Sequence, residues 1–168
     1  MKKLVIRRRL AIMGVLAAIA AMVVWKTIPG AAPEDADIIV YKMRTCGCCK
    51  NWVARLRDSG LKVRTVNLPD TAPMQSRMGV PQKLRSCHTA VAGKVWIEGH
   101  VPADLVQRLI KEKPDNIRGI AVPGMPSGAP GMEGPNPVEY EVLAYDTSGN
   151  TTLYAKRQGE SAAPVDRL

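Results

Sequence analysis

A regular alternation of short apolar runs and helical segments limits the folds open to this chain. The run DIIVYKM (37–43) is short and β-branched, which is typical of a buried strand. CCKNWVARLRDSG then places apolar residues at helical spacing, and Gly60 is a natural helix stop. LKVRTVNL predicts a second strand, and DTAPMQSRMGV predicts a short helix that carries Met74 and Met78 on one face. The pattern therefore predicts helices packed on a sheet.

The next segments complete an order of elements that is known from other proteins. HTAVAGKVWIEG predicts two strands that turn at Ala92–Gly93, and VPADLVQRLIKEK predicts a helix that begins near Pro102. The resulting order, β-α-β-α-β-β-α, is that of the thioredoxin fold, in which helices cover a small central sheet. We therefore predict an α/β, thioredoxin-like domain over residues 37–146.

Two further segments lie beyond this pattern. Residues 119–137, GIAVPGMPSGAPGMEGPNP, are rich in Gly and Pro and predict a loop without regular structure; loops of that length are usually functional or disordered. YEVLAYDTSGNTTLYAKR predicts a β-hairpin about Ser148, Gly149 and Asn150. Residues 147–168 are accordingly read as the end of this hairpin followed by a frayed tail.

Residues 1–28 have the order of an export signal. MKKLVIRRRL carries five basic residues, and a run of sixteen uncharged, mostly apolar residues follows. The run is shorter than the ~20 residues that span a bilayer. Gly30-Ala31-Ala32 suits a signal peptidase, but Pro33 is a poor residue after a scissile bond. The segment is therefore either a signal peptide or an uncleaved anchor in the inner membrane, residues 29–36 are a linker, and the domain is predicted to be periplasmic.

The net charge of +9 does not indicate a nucleic-acid partner. Six of the 24 Lys and Arg residues lie in the first 26 positions, and the rest of the chain has a net charge of only +3. No basic stripe with interleaved aromatic residues remains, so a nucleic-acid partner is not expected.

Three of the four cysteines, Cys46, Cys48 and Cys49, fall within four positions. They lie where the first strand is predicted to end and the first helix to begin. Backbone N–H groups at a helix N-terminus favour negative charge, so we expect the Cys49 thiolate to be stabilised there. Cys87 precedes the third predicted strand, a position that faces this turn in a thioredoxin-like fold. The four cysteines are therefore predicted to converge, with His88 beside them.

Three chemistries fit such a cluster. Structural disulfides agree with export, but bridges within one turn close tiny loops and stabilise little. A redox pair of Cys46 and Cys49 would make a metal-independent thiol–disulfide oxidoreductase, although Thr45 replaces the usual Trp and extra thiols would compete in exchange. Soft-metal binding requires no such exceptions, because thiolates and thioethers select Cu(I) and a crowded C-x-C-C turn could bridge several ions.

Other side chains could complete a metal site. His88, beside Cys87, is a candidate ligand, whereas His100 is either a ligand or a residue that satisfies a turn. Met125 and Met132 are candidates for ligands or for a lid over the cysteines, with gap-filling packing as the alternative. Met43 is predicted to be core of the first strand.

Four segments in order, YKMRTCGCCKNW, SCHTAV, WIEGHVPADLVQRLI and GIAVPGMPSGAPGMEGP, resemble the small bacterial metal-binding family that includes the copper-resistance protein CopG. The resemblance implies a periplasmic, thioredoxin-like domain that binds copper through cysteines and assists copper resistance. Copper ions and other periplasmic copper-resistance or electron-transfer proteins are the implied partners. The resemblance leaves open whether the protein binds Cu(I) passively or interconverts Cu(I) and Cu(II). The positions that match the family motifs are Cys46, Cys48, Cys49, Cys87, His88, His100, Met125 and Met132.

Overall fold

The computed structural model describes residues 35–161, so the predicted export segment and the end of the predicted tail lie outside the described residues. No helix within this range is long and apolar enough to cross a membrane. The elements are β1 (Ile38–Met43), α1 (Gly47–Asp58), β2 (Val63–Leu68), α2 (Ala72–Arg77), a short 3-10 helix (Gln82–Leu84), β3 (His88–Ala92), β4 (Val95–Glu98), α3 (Ala103–Glu112), β5 (Ile117–Ala121), β6 (Glu139–Asp146) and β7 (Thr151–Gln158).

The strands form one mixed sheet in the order β2-β1-β3-β4-β5-β6-β7. β1 pairs parallel with β2 and antiparallel with β3, and β4 pairs antiparallel with β3 and parallel with β5. The long hairpin of β6 and β7 extends the sheet on the β5 side. The predicted α/β class is confirmed by this architecture.

The core lies between the sheet and the two longer helices. Ile38 and Val40 alternate along β1 and are fully buried, as the strand pattern predicts. Trp52 and Leu56 of α1 are also fully buried, one turn apart on the same helix face. The Trp52 indole N–H donates to the Val101 carbonyl (2.8 Å), which ties α1 to the segment that enters α3.

The predicted boundary of the Gly/Pro loop at residue 119 is wrong, because residues 119–121 belong to β5. Gly119 is required by packing rather than by a turn: a Cβ there would collide with the indole ring of Trp96 on the paired strand β4. The irregular segment therefore runs over residues 122–138. Both of its ends are hydrogen-bonded to the rest of the fold, since Val122 N–H donates to Glu98 O (3.0 Å) and Gly159 N–H donates to Val138 O (2.9 Å).

Candidate metal centre

The C-x-C-C turn begins helix α1. Cys46 is the N-cap residue, and its sulfur accepts a hydrogen bond from Cys49 N–H at 3.3 Å. The sequence predicts that the N–H groups at the helix N-terminus stabilise the Cys49 thiolate. In the structure it is the Cys46 sulfur that accepts a hydrogen bond from one of these N–H groups. The reason is the turn after β1, in which Cys46 N–H donates to Met43 O and the helix starts at Gly47. Cys49 lies inside the first turn and is fully buried.

Cys46 and Cys49 are joined by a disulfide, whereas Cys48 and Cys87 are free thiols. The sequence disfavours structural disulfides here, because a bridge within this turn cross-links very little of the chain. The observed bond does stabilise the fold little, because it links residues only three apart and so removes little entropy from the unfolded chain. The bond therefore suits a redox couple of the C-x-x-C type better than a structural cross-link.

The structure brings the four cysteine sulfurs together, all within 4.8 Å of one another. Each free thiol lies beside one sulfur of the disulfide. Cys48 Sγ is 3.6 Å from Cys46 Sγ, and Cys87 Sγ is 3.6 Å from Cys49 Sγ. Reduction of the disulfide would thus leave four thiol groups around one point at the N-terminus of α1.

His100 belongs to a second group of ligand atoms, formed by Cys87, His88 and His100 within 4.8 Å. Its Nδ1 is 2.8 Å from the carbonyl oxygen of Pro130. Because a carbonyl only accepts, Nδ1 carries the proton, and the Nε2 lone pair is directed at Cys87 Sγ, 3.2 Å away. A backbone carbonyl that fixes the tautomer in this way is the usual support of a metal-ligating histidine.

His88 offers a second imidazole to the same sulfur. It is fully buried, and its Nδ1 lies 3.4 Å from Cys87 Sγ. Its Nε2 is buried and has no hydrogen-bond partner among the described residues. Burial, and then the proximity of His100, lowers the pKa of His88 well below its ordinary value. Burial also lowers the pKa of His100, so both rings are neutral at pH 7 and can donate lone pairs.

Cys87 is the residue that the two groups share. Burial, followed by the nearby Cys48, raises the pKa of the Cys87 thiol to about 12. The thiol is therefore protonated at neutral pH, and a metal ion that binds its thiolate must displace the proton. The donor set of thiols and neutral imidazoles fits a soft cation far better than Mg²⁺ or Ca²⁺, which prefer oxygen ligands.

Glu98 is a residue beside this centre that sequence reasoning missed. Its side chain is fully buried at the end of β4, and its Oε1 accepts from Ser86 N–H (2.7 Å) and from Gln75 Nε2 (2.5 Å). Oε2 has no partner among the described residues. Burial raises the pKa of Glu98 to about 7. An acidic residue at the end of the apolar strand run VWIE, directly before Gly99 and His100, was the available signal.

The raised pKa of Glu98 predicts a pH-dependent stability of the metal-free protein. Between its ordinary pKa of 4.5 and the folded value of about 7, folding favours the protonated carboxyl. The raised pKa therefore contributes ~3 kcal/mol to the free energy of unfolding, which is fully present below pH 4.5 and is lost as the pH rises through about 7. The lowered pKa values of His88 and His100 have the opposite effect, because they make the folded protein more stable as the pH rises. The wild type is therefore compared with E98Q, which keeps both histidines and loses only the Glu98 carboxyl.

Urea unfolding of both proteins across this pH range is the measurement. We expect the free energy of unfolding of E98Q, relative to the wild type, to increase as the pH rises. A difference that stays constant with pH would contradict the assignment.

The methionines take three different places. The prediction that Met43 is core is wrong: it is 37% exposed, at the last position of β1, where the alternation of buried residues along the strand ends. Met125 is 39% exposed and lines a surface cavity of about 520 Å³ together with Ser86 and Cys87. Met132 is half-buried in the same irregular segment. Met125 thus shares a cavity with one of the candidate ligands.

The backbone of the irregular segment covers the cysteine turn. Pro130 supplies the carbonyl that holds His100, and a Cβ on Gly131 would lie 2.6 Å from Trp52 N and 2.9 Å from Cys48 O. Glu133 fixes this approach, since its carboxylate accepts from Gly131 N–H (2.8 Å) and pairs with Arg55 (3.0 Å). This cover agrees with the lid over the cysteines that the sequence suggests, but the individual backbone contacts could not be predicted, because Gly/Pro composition does not indicate which atoms a loop will contact.

Comparison with known proteins gives two kinds of similarity. Residues 84–132 match a family described as "Protein of unknown function, DUF411". The solved structure "Copper resistance protein copG- Form 2" is 39% identical, with a TM-score of 0.68, and the match covers 74% of this chain and 99% of that chain. "Copper resistance protein copG- Form 1" is 40% identical, with a TM-score of 0.67 and coverage of 73% and 97%. No curated protein sequence matches the chain.

Proposed function

Since the chain belongs to the family of the copper-resistance protein CopG, we propose that it binds copper and serves copper resistance. The observation that carries this proposal is the junction of two ligand groups at one residue: four cysteine sulfurs and a Cys–His–His group meet at Cys87. Both groups consist of soft or borderline donors, and the described part of the chain directs no carboxylate oxygen into them.

We propose that copper is bound as Cu(I) and that the site holds more than one ion. Thiolates bridge Cu(I) ions readily, and Cys87 lies within reach of both ligand groups. Full use of the four sulfurs requires that the Cys46–Cys49 bond be reduced. The predicted ligands are therefore Cys46, Cys48, Cys49 and Cys87 with His88 and His100.

The C-x-x-C pair also supports a proposal of copper redox chemistry. A reduced pair supplies two electrons when it closes to a disulfide, which matches the reduction of two Cu(II) ions to Cu(I), and the two thiol protons are released. A dithiol reductant or an electron-transfer protein must then reopen the bond. Whether the protein turns copper over in this way is tested by anaerobic reaction of the reduced protein with Cu(II).

Fold and place belong to the same proposal. The order of the elements from β1 to α3 supports a thioredoxin-like domain to which β5, the irregular segment and the β6–β7 hairpin are added. The export signal predicted over residues 1–28 supports a periplasmic location, either released or anchored to the inner membrane. Cysteine oxidation and copper handling both suit that compartment.

The copper proposal predicts that the anaerobically reduced full chain binds Cu(I) stoichiometrically, because it presents preformed thiol and imidazole groups. Titration against a chromophoric Cu(I) chelator measures the number of ions and their affinity. A chain in which all four cysteines are replaced by serine is the control and should retain no tight site. Equal retention by both proteins would refute the copper proposal.

A metal-independent thiol–disulfide oxidoreductase is the second candidate, and the Cys46–Cys49 disulfide favours it. Such an enzyme reduces or isomerises protein disulfides without copper. Insulin reduction by the metal-free protein at a rate comparable with thioredoxin would favour this function over copper handling. The free Cys48 and Cys87 beside the disulfide argue against it, because they would divert the exchange.

We also propose that the irregular segment is a lid with a thioether near the bound copper. Replacing Met125 or Met132 by Leu keeps the volume and removes the sulfur. We expect M125L, whose side chain shares the cavity of Cys87, to lower Cu(I) affinity or to change the oxidation rate of bound copper. Chelator competition and stopped-flow oxidation measure both. If both Leu variants match the wild type, the methionines only fill space.

A further inference from the structure

The segment that carries Cys87 has no strand ladder to hold it. Ser86 and Cys87 lie between the 3-10 helix and β3, which begins at His88. Yet Cys87 must lie close to both Cys49 and His100 if the two ligand groups are to share it. Some other interaction has to fix this short segment.

Two buried polar side chains grip the residue before Cys87. Glu98 Oε1 accepts from Ser86 N–H (2.7 Å), and Gln75 Nε2 donates to the Ser86 carbonyl (3.0 Å). Gln75 Nε2 is also 2.5 Å from Glu98 Oε1, so the two side chains support each other. Both backbone groups of Ser86 are thereby satisfied by residues from β4 and α2.

His88, the residue after Cys87, is hydrogen-bonded to Gly99, which directly follows the end of β4. Gly99 N–H donates to the His88 carbonyl at 3.1 Å. A Cβ on Gly99 would lie 2.8 Å from Ser86 Oγ and 2.5 Å from the Val122 carbonyl, so only glycine allows this approach. Cys87 is therefore fixed on both sides by the segment that leads directly into His100.

Stability alone does not account for these side chains. Glu98 is fully buried and Gln75 is 3% exposed. Burial of a carboxyl group is unfavourable even when it is hydrogen-bonded, and its Oε2 has no partner among the described residues. A well-packed apolar pair would fill the same space without that penalty, but it could not hold the N–H and carbonyl of Ser86.

We propose that Glu98 and Gln75 are positioning residues that clamp Ser86 and so place the Cys87 thiol between Cys49 and His100. The clamp acts on the metal-free protein. Its consequence for copper rests on the function proposed above.

The test compares the reactivity of the two free thiols within one molecule. The metal-free full chain, with the Cys46–Cys49 bond intact, is treated with iodoacetamide, and peptide mass spectrometry gives the alkylation rate of Cys87 relative to that of Cys48. E98A and Q75A should raise this ratio about tenfold, because loss of a hydrogen bond to a buried group frees the segment. E98Q should restore the wild-type ratio, since its amide oxygen can accept the same two hydrogen bonds.

I97A is the matched control, because Ile97 precedes Glu98 on β4, is fully buried and contacts the core. It should lower the melting temperature without changing the Cys87-to-Cys48 ratio. An unchanged ratio in both E98A and Q75A overturns the clamp, and so does an equal rise in I97A, which would indicate general loosening.

Chelator competition with Cu(I) is the second readout. E98A should lose affinity about tenfold and E98Q should keep it. If the wild type binds no Cu(I), the proposed function fails, while the thiol ratio still decides the clamp. If E98A changes the ratio but keeps full Cu(I) affinity, the clamp stands and its role in copper binding is refuted.

Discussion

Replacing Cys87 by serine is expected to lower the Cu(I) affinity of the reduced protein about a hundredfold or more, a loss of ~3 kcal/mol. Serine keeps the size of the side chain and substitutes a hard hydroxyl for the thiolate that Cu(I) prefers. The effect should be large because Cys87 is the only residue common to the two ligand groups of the described chain. Its loss removes the sulfur that lies 3.2 Å from His100 and 3.4 Å from His88.

C48S is the matched control for this prediction. Cys48 is also a free, half-exposed thiol, but it belongs to the four-cysteine group alone. Chelator competition under anaerobic conditions should show a smaller loss for C48S than for C87S, and C87S should bind fewer ions. Equal losses in the two variants would mean that the Cys–His–His group contributes nothing to copper binding.

The parts of this centre that sequence could predict are those with a local signal. The alternation of Ile38 and Val40 and the helical spacing of Trp52 and Leu56 define β1 and α1 without reference to the rest of the chain. The element order then brings Cys87 to the C-x-C-C turn, because antiparallel pairing of β1 and β3 puts the end of one strand beside the start of the other. Local periodicity and topology together were enough to gather the cysteines.

The parts that sequence could not predict depend on distant backbone groups. The His100 tautomer is set by the carbonyl of Pro130, thirty residues away, and any residue could supply a carbonyl. Glu98 contacts Ser86 twelve residues earlier and Gln75 twenty-three residues earlier, and no spacing rule links them. The sequence predicts a loop at Gly119, because a glycine that is required for close packing against Trp96 cannot be told from a glycine of a turn by composition alone.

The lid itself can be tested at one glycine. Gly131 has φ of +85°, and an added Cβ would meet the backbone atoms Trp52 N (2.6 Å), Cys48 O (2.9 Å) and Asn51 C (3.1 Å). Backbone within a helix cannot move aside as a flexible side chain can. In G131A the irregular segment must therefore shift away from α1, in addition to the strain of a left-handed alanine, and the unfolding free energy should fall by ~2 kcal/mol or more.

The same shift should reach the metal centre through the preceding residue. Pro130 moves with Gly131, so its carbonyl leaves Nδ1 of His100 and the Nε2 lone pair is no longer held towards Cys87. Loss of such a supporting contact typically costs about ten- to a hundredfold in metal affinity. Urea unfolding and Cu(I) competition measure the two effects on G131A separately.

G134A is the control within the same segment. A Cβ on Gly134 would find its nearest neighbours at 3.5 and 4.0 Å, which is ordinary contact, and its backbone is not left-handed. We expect G134A to keep both the stability and the Cu(I) affinity of the wild type. If G131A loses stability but binds Cu(I) as tightly as G134A, the segment packs on α1 without supporting the metal ligands, and His100 is held by the fold alone.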